Sequence, residues 1–215
     1  YLNYCVILMK KKFINSDNMY IIGDIGNTDT KIFLVNHNFV KIKKIFLKTR
    51  LITNTYIYKN IKILYNKKIK FCLFSSVVPS AFNKIKNVLV KNYSTPCTEL
   101  KKKNFSKFVK LKVNRLQVGS DRIANAISVI DNKHNYIVVD FGTATTFDVI
   151  IKNTYYGGVI APGISLSLST LIKKATLIPL INLSKISKVV GTNTNQAVRS
   201  GFYWGYIGLI DNIIL

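Results

Sequence analysis

The residues of this 215-residue chain that could do chemistry gather at a few glycine turns. Asp24, Gly26 and Thr28 stand in D-I-G-N-T at 24–28. Asp140, Gly142 and Thr143 stand in D-F-G-T-A at 140–144. In both, an apolar run ends in Asp and passes through a turn with Gly and Thr into a second β-rich run. Gly in such a turn lets backbone N–H groups converge on an anion with no Cβ in the way. Thr28, Thr143 and Thr145 add hydroxyl donors. A single turn of this kind also occurs in ordinary hairpins. Two copies could grip a polyphosphate from both sides, with Asp24 and Asp140 placed to hold a cation directly or through water.

A third constellation is G-S-D-R at 119–122. Asp121 falls at a predicted helix start, where it would act as an N-cap or as a base accepting a hydroxyl proton. Phosphoryl transfer asks mainly for positioning and charge neutralisation, so an ordinary Asp suffices. Arg122 is either a surface charge or a ligand contact. Only nine Asp and Glu occur in the chain, and Asp24, Asp121 and Asp140 fall in three Gly-containing turns. That concentration favours a functional reading of the three together. G-G-V-I-A-P-G at 157–163 reads as a tight turn, or as backbone able to approach a ligand and hinge a closure.

These turns need rigid elements around them. Runs at 20–23 and 31–35 predict a hairpin, with a third strand near 40–47. The apolar run 70–78, closed by Pro79, predicts a buried parallel strand followed by a helix from about 80 to 91. Residues 99–112, rich in Lys, predict a surface loop with a short strand. Helical spacing of Ile123, Ala126, Ile127 and Ile130 predicts a helix over 121–130. The pattern then restarts, with a buried strand at 136–141, strands at 145–151 and 154–160, a turn at 161–163, a helix at 164–174 and a long apolar helix over 194–215. The recurrence of the Asp–Gly turn marks an internal duplication, with a boundary near 125–135.

Composition narrows the function classes. With 48% hydrophobic residues the chain can bury a core. The formal charge of +23 suggests a nucleic-acid partner. However, Arg supplies only four of the 32 basic residues (Arg50, Arg115, Arg122, Arg199). Lys, Asn, Ile and Tyr share AT-rich codons, whereas nucleic-acid readers lean on Arg forks. Codon bias therefore accounts for the charge, and no nucleic-acid partner is expected. Cys5, Cys72 and Cys97 match neither a zinc site nor a disulfide framework and are expected as free thiols. The apolar run at 1–9 is too short to span a bilayer. No membrane association is expected, and the chain is expected in the cytoplasm. Residues 1–18 are expected to be a poorly ordered extension or upstream sequence ahead of a functional start at Met19.

Taken in order, these motifs resemble the type III pantothenate kinase family. D-I-G-N-T-D-T-K at 24–31, S-S-V-V-P at 75–79, V-G-S-D-R-I-A-N-A at 118–126 and D-F-G-T-A-T-T at 140–146 carry the likeness. So do G-G-V-I-A-P-G-I-S-L-S at 157–167, V-V-G-T-N-T at 189–194 and R-S-G-F-Y-W-G-Y-I-G-L-I-D at 199–211. The resemblance implies an α/β fold of two ribonuclease-H-like lobes, as in actin, hsp70 and hexokinase, with the nucleotide cleft between them. The lobes are expected over 19–130 and 131–215, the second truncated at its C-terminus because the family continues further. The implied reaction moves the γ-phosphate of ATP to the hydroxyl of pantothenate, the first step toward coenzyme A. Asp121 would be the proton acceptor. Gly119, Ser120, Asp121, Arg122 and Thr194 would contact pantothenate, Thr194 across a homodimer interface. Asp24, Ile25, Gly26, Asn27, Thr28, Asp29, Thr30 and Lys31, with Gly142, Thr143 and Thr145, would hold ATP. Asp24 would place magnesium, and Asp140 would ligate a monovalent cation, potassium or ammonium.

The chain departs from the family pattern in places. Lys112 and Arg115 stand where the family often has Tyr and Pro, and Thr192 replaces the Lys of G-K-[ND]-T. Two alternatives remain open from sequence: a kinase of another small hydroxyl substrate on the same fold, and a non-catalytic transcription accessory factor.

Overall fold

The protein is described by a computed structural model over residues 18–64 and 68–215. The expectation of a poorly ordered extension therefore lies, except for Asn18, outside the described residues, as does Cys5. The chain forms two compact units. One runs up to Tyr136 and includes Asp148–Gly157, and the other comprises Ile137–Phe147 and Gly158–Leu215.

The first unit is built on β1 (Met19–Ile25), β2 (Asp29–Val35) and β3 (Lys41–Lys48), an antiparallel meander. β4 (Ile69–Ser76) lies parallel to β1 on its other side. β5 (Cys97–Glu99) adds a parallel edge, giving the order β3-β2-β1-β4-β5. Consecutive residues of β1 are buried, so both its faces are covered, which is why M-Y-I-I-G-D-I is apolar nearly throughout rather than alternating. β3 is an edge strand whose Lys41, Lys43, Lys44 and Lys48 discourage pairing with another chain.

Gly23 faces Phe74 across the β1–β4 pair. A Cβ on Gly23 would lie 2.0 Å from Phe74 Cε1. The fully buried ring thus occupies the space a side chain would take. Ile21, Ile25, Ile32, Leu34, Ile57 and Leu89 belong to the same core.

Two helices join these strands. α1 (Asn54–Ile61) begins at Thr53, whose hydroxyl accepts from Tyr56 N at 3.1 Å. The sequence pattern does not announce this helix, because N-T-Y-I-Y-K-N-I is poor in strong helix formers and buries only Ile57 and Ile61. α2 (Pro79–Tyr93) starts with Pro at its first position, where a missing N–H costs nothing. It buries Ala81, Phe82, Ile85, Val88 and Leu89 at helical spacing.

The segment 99–112 ends in the expected short strand but is not a free surface loop. Leu100, Phe105 and Val109 are buried and anchor it, while its lysines stay outside. β6 (Lys110–Leu111) ends it. α3 (Ser120–Val129) follows and buries Ile123, Ala124, Ala126 and Ile127. A tight turn then leads out. Asp131 accepts from the backbone N–H groups of Lys133 and His134 at 2.9 Å each, from Tyr136 OH at 2.8 Å, and pairs with His134 Nδ1 at 2.6 Å. Cys72 and Cys97 are free buried thiols on adjacent strands.

The second sheet has the order β6-β9-β8-β7, with β7 (Asn135–Phe141), β8 (Ala144–Ile151) and β9 (Thr154–Pro162). Within the first unit, β6 pairs in parallel with the start of β9, Lys110 opposite Thr154 and Leu111 opposite Tyr155. The second unit carries α4 (Ile164–Lys174) and α5 (Thr194–Ile214). Tyr206 of α5 donates to the Pro162 carbonyl at 2.8 Å. The expected burial of β7 is not observed. Ile137 is 40% exposed and Phe141 57%. Apolar character does not by itself supply a covering layer, and α4 buries none of its residues while α5 buries only Ser200. Among the described residues no helix is long and apolar enough to cross a membrane.

Gly23→Ala should destabilise the first unit by roughly 1–3 kcal/mol, since Phe74 must leave its position; urea denaturation measures this. A second expectation concerns Asp131. Its four hydrogen bonds, those from His134 foremost, hold its carboxyl well below the usual range. A depressed carboxyl adds stability at pH values above its ordinary range and loses it as pH falls toward the native value. Asp131→Asn should therefore melt below wild type at neutral pH, with the gap closing on acidification below about pH 4.

Candidate functional site

In the first unit, the Asp24–Lys31 turn grows directly from β1. Asp24 lies opposite Lys31 on β2 and Ser75 on β4. Gly26 N donates to Asp29 O at 3.0 Å, closing the turn. The turn is braced from behind. Thr49 Oγ1 donates to Gly26 O at 2.7 Å, and its backbone N–H reaches Thr28 O at 3.0 Å. The Thr30 hydroxyl is buried and shares a 2.9 Å hydrogen bond with Thr49 Oγ1. Ile25 is fully buried and offers only backbone. Asp29 pairs with Lys48 at 2.6 Å. Asn27, Thr28 and Lys31 are exposed.

The G-S-D-R segment is tied to the same strand ends. Val77 N donates to Ile25 O at 3.0 Å, and a Cβ on Gly119 would stand 3.7 Å from Val77 Cγ1. Gly119 caps α3, so Asp121 sits in the first turn, where the exposed N–H groups favour a negative charge. Its Oδ1 accepts from Arg122 N at 2.8 Å. The same oxygen would lie 2.3 Å from a Cβ at Gly119, so the carboxylate folds back over the glycine. Ser120 is buried and donates to Glu99 Oε1. Arg122 Nε reaches Asp148 Oδ1 at 2.6 Å. Tyr155 OH donates to the same oxygen at 2.8 Å. Burial pushes the Asp148 carboxyl up, against the opposing pull of Tyr155 and Arg122.

Sequence reasoning passed over Asp148, Tyr155 and Glu99. For Asp148 a signal was present: an Asp inside F-D-V-I-I is out of place in a strand unless something satisfies it. Tyr155 and Glu99 carry no comparable signal.

In the second unit, Gly142 N donates to Ala144 O at 3.0 Å, and Gly163 N donates to Thr143 O at 3.0 Å. A Cβ on Gly163 would fall 2.3 Å from Gly142 O and 2.4 Å from Thr143 O, so the start of α4 is pressed against the turn. Thr143 is exposed, and Asp140 is half-buried. The buried Thr145 hydroxyl has no partner. Thr194 is exposed at the first position of α5, behind the Asn193 cap. A cavity of about 420 Å³ lined by Leu171, Phe202, Tyr206 and Leu209 includes none of the expected site residues.

The donor set suits a nucleotide with its cations. Each unit carries a glycine turn of the phosphate-gripping kind, and in the second the buried Thr145 hydroxyl is unspent. Among the described residues no three His, Cys, Asp or Glu side chains gather as a metal cage. Magnesium needs none, because one or two carboxylates and the substrate phosphates hold it.

A meander extended by two parallel strands, joined to a second sheet whose Asp–Gly–Thr turn repeats the first, defines the actin/hsp70-like ATPase fold. A solved structure from Campylobacter jejuni, described as a Baf family transcriptional activator, has the same fold. Its TM-score is 0.54 at 18% identity, over 90% of this chain and 78% of that one. The family model for type III pantothenate kinase matches residues 20–215. A type III pantothenate kinase of Pelagibacter ubique is 58% identical over 198 residues, 91% of this chain and 80% of that protein. One from Koribacter versatilis is 48% identical over 103 residues, 47% of this chain and 38% of its own length. The chain belongs to the type III pantothenate kinase family.

Gly119→Ala separates folding from function. The clashing atom is the end of a side chain, so stability should change by less than about 1 kcal/mol. Displacing Asp121 should lower turnover by about 100-fold. Parallel melting and rate measurements read both.

Proposed function

We propose that this chain transfers the γ-phosphate of ATP to the primary hydroxyl of pantothenate, the first step toward coenzyme A. The observation that carries the reading is the Asp121–Arg122 pair at the start of α3. A carboxylate in the helix's first turn is held by the backbone N–H of Arg122, whose guanidinium is anchored by Asp148. In a family of pantothenate kinases, that pair supplies a proton acceptor next to a substrate-binding cation.

The roles follow residue by residue. Asp121 accepts the proton of the attacking hydroxyl. Gly119, Ser120 and Arg122 shape the pantothenate site, Ser120 through its backbone because its hydroxyl is engaged by Glu99. The Asp24–Lys31 turn, and separately Gly142, Thr143 and Thr145, hold ATP phosphates through backbone N–H groups and hydroxyls. Asp24 would place magnesium and Asp140 would hold the monovalent cation, and these ions would supply charge neutralisation for the transferred phosphoryl group. The protein works in the cytoplasm as a homodimer in which Thr194 reaches the partner's pantothenate. The exposed apolar residues of the second unit, Leu177, Leu180, Val189 and Val190 among them, support such an assembly.

The test is ATP-dependent phosphorylation of pantothenate beside a panel of sugars, with magnesium and potassium present. Transfer to pantothenate alone is expected. Asp121→Asn should lower the rate by roughly 10²–10⁴-fold and leave ATP binding within about threefold. Transfer to a sugar but not to pantothenate would replace the acceptor. Joint loss of ATP binding and transfer in Asp121→Asn would make Asp121 structural.

A further inference from the structure

Arg122 does not stand alone, and the groups that hold it have no role in the reaction described above. Asp148 of β8 is wholly inaccessible to solvent, and so is Tyr155 of β9. Both lie in the same compact unit as Arg122. Asp148 Oδ1 accepts from Arg122 Nε at 2.6 Å and from Tyr155 OH at 2.8 Å. The guanidinium carbon lies 6.0 Å from the centre of the Tyr155 ring.

Burying an ion pair is a poor way to gain stability, because desolvation offsets the attraction and an apolar pair of the same size often does as well. What such a pair supplies is direction. The guanidinium is planar, so pinning Nε and facing the group with an aromatic ring sets where the remaining N–H groups point. One of those donors is still unspent: Arg122 Nη2 is buried and has no hydrogen-bond partner. Asp148 Oδ2 is likewise buried and unpartnered. A buried network with open positions is costly unless a further partner arrives.

We propose that Asp148 and Tyr155 are positioning residues that hold Arg122 so that its Nη2 donates to an acceptor oxygen of the phosphoryl acceptor. The proposal rests on the reading that Arg122 lines the pantothenate site. Asp148 touches no substrate. It aims the group that does, while its charge balances the guanidinium and leaves Asp121 as the carboxylate in the first turn of α3. Tyr155 fixes Asp148 in turn, so a phenol on the neighbouring strand governs how tightly the acceptor is held.

The experiment is a kinetic comparison of the full chain carrying Arg122→Ala, Asp148→Asn, Tyr155→Phe and the Arg122→Ala/Asp148→Asn double change. Each is measured for KM of pantothenate, KM of ATP and kcat per folded protein. Asp148→Asn should raise the pantothenate KM about 10- to 100-fold, the scale of a lost charge-assisted hydrogen bond. The ATP KM should stay within about twofold. Tyr155→Phe, which keeps the ring and removes only the hydroxyl, should raise the pantothenate KM about 3- to 10-fold. The double variant should be no worse than Arg122→Ala alone, because both changes remove one device. If Arg122→Ala raises the pantothenate KM but Asp148→Asn and Tyr155→Phe leave it at wild type, the positioning role is overturned and the site reading stands. If Arg122→Ala itself leaves that KM unchanged, both are overturned. Should Asp148→Asn fail to fold, Tyr155→Phe decides alone: a wild-type pantothenate KM with a lower melting temperature overturns the proposal.

Discussion

The first unit depends on the close packing of β1 against β4, with Phe74 lying where Gly23 has no side chain. Backbone hydrogen bonds fix the spacing and register of the pair, and the strand ends follow. Asp24 comes opposite Ser75, the Asp24–Lys31 turn leaves from the next residue, and Ile25 O receives Val77 N. Val77 then neighbours Gly119, where α3 and its Asp121 begin. A phosphate-type turn and a carboxylate-bearing helix start are thus both referred to one pair of rigid strands. Sites built on strand and helix ends hold their geometry better than sites on free loops.

Electrostatics divides the molecule by depth. Its excess of lysines lies outside, as on the β3 edge, where Lys43, Lys44 and Lys48 face solvent. The few acids are used individually. Asp131 closes a turn, Asp29 pairs with Lys48, Glu99 holds Ser120, and Asp148 anchors Arg122. Each of these four carboxylates thereby does a specific local job. The formal charge of +23 is a property of the surface lysines and says little about the site.

Much of the fold was legible in the sequence for identifiable reasons. β1 and β4 are apolar because both their faces are buried, and α2 repeats its apolar residues at 81, 82, 85, 88 and 89 with Pro79 at its start. Glycines beside Asp marked the turns because few other residues allow such close backbone approach. α1 escaped notice, since its short, β-prone sequence becomes helical only when Ile57 and Ile61 have a core to enter. The segment 99–112 looked like a loop because its lysines outnumber the three residues, Leu100, Phe105 and Val109, that pin it down.

The sequence alone determined which residue types stand at the turns, their order along the chain and the family they resemble. These are local or sequential properties, and periodicity and motif spacing report them directly. Only the tertiary structure decided which groups meet across the chain. Arg122 is 26 positions from Asp148, and Asp148 seven from Tyr155. Nothing in their spacing predicts that a helix start, one strand and the next will converge on a single buried oxygen. That convergence follows from strand register and from the need to satisfy a charge removed from water.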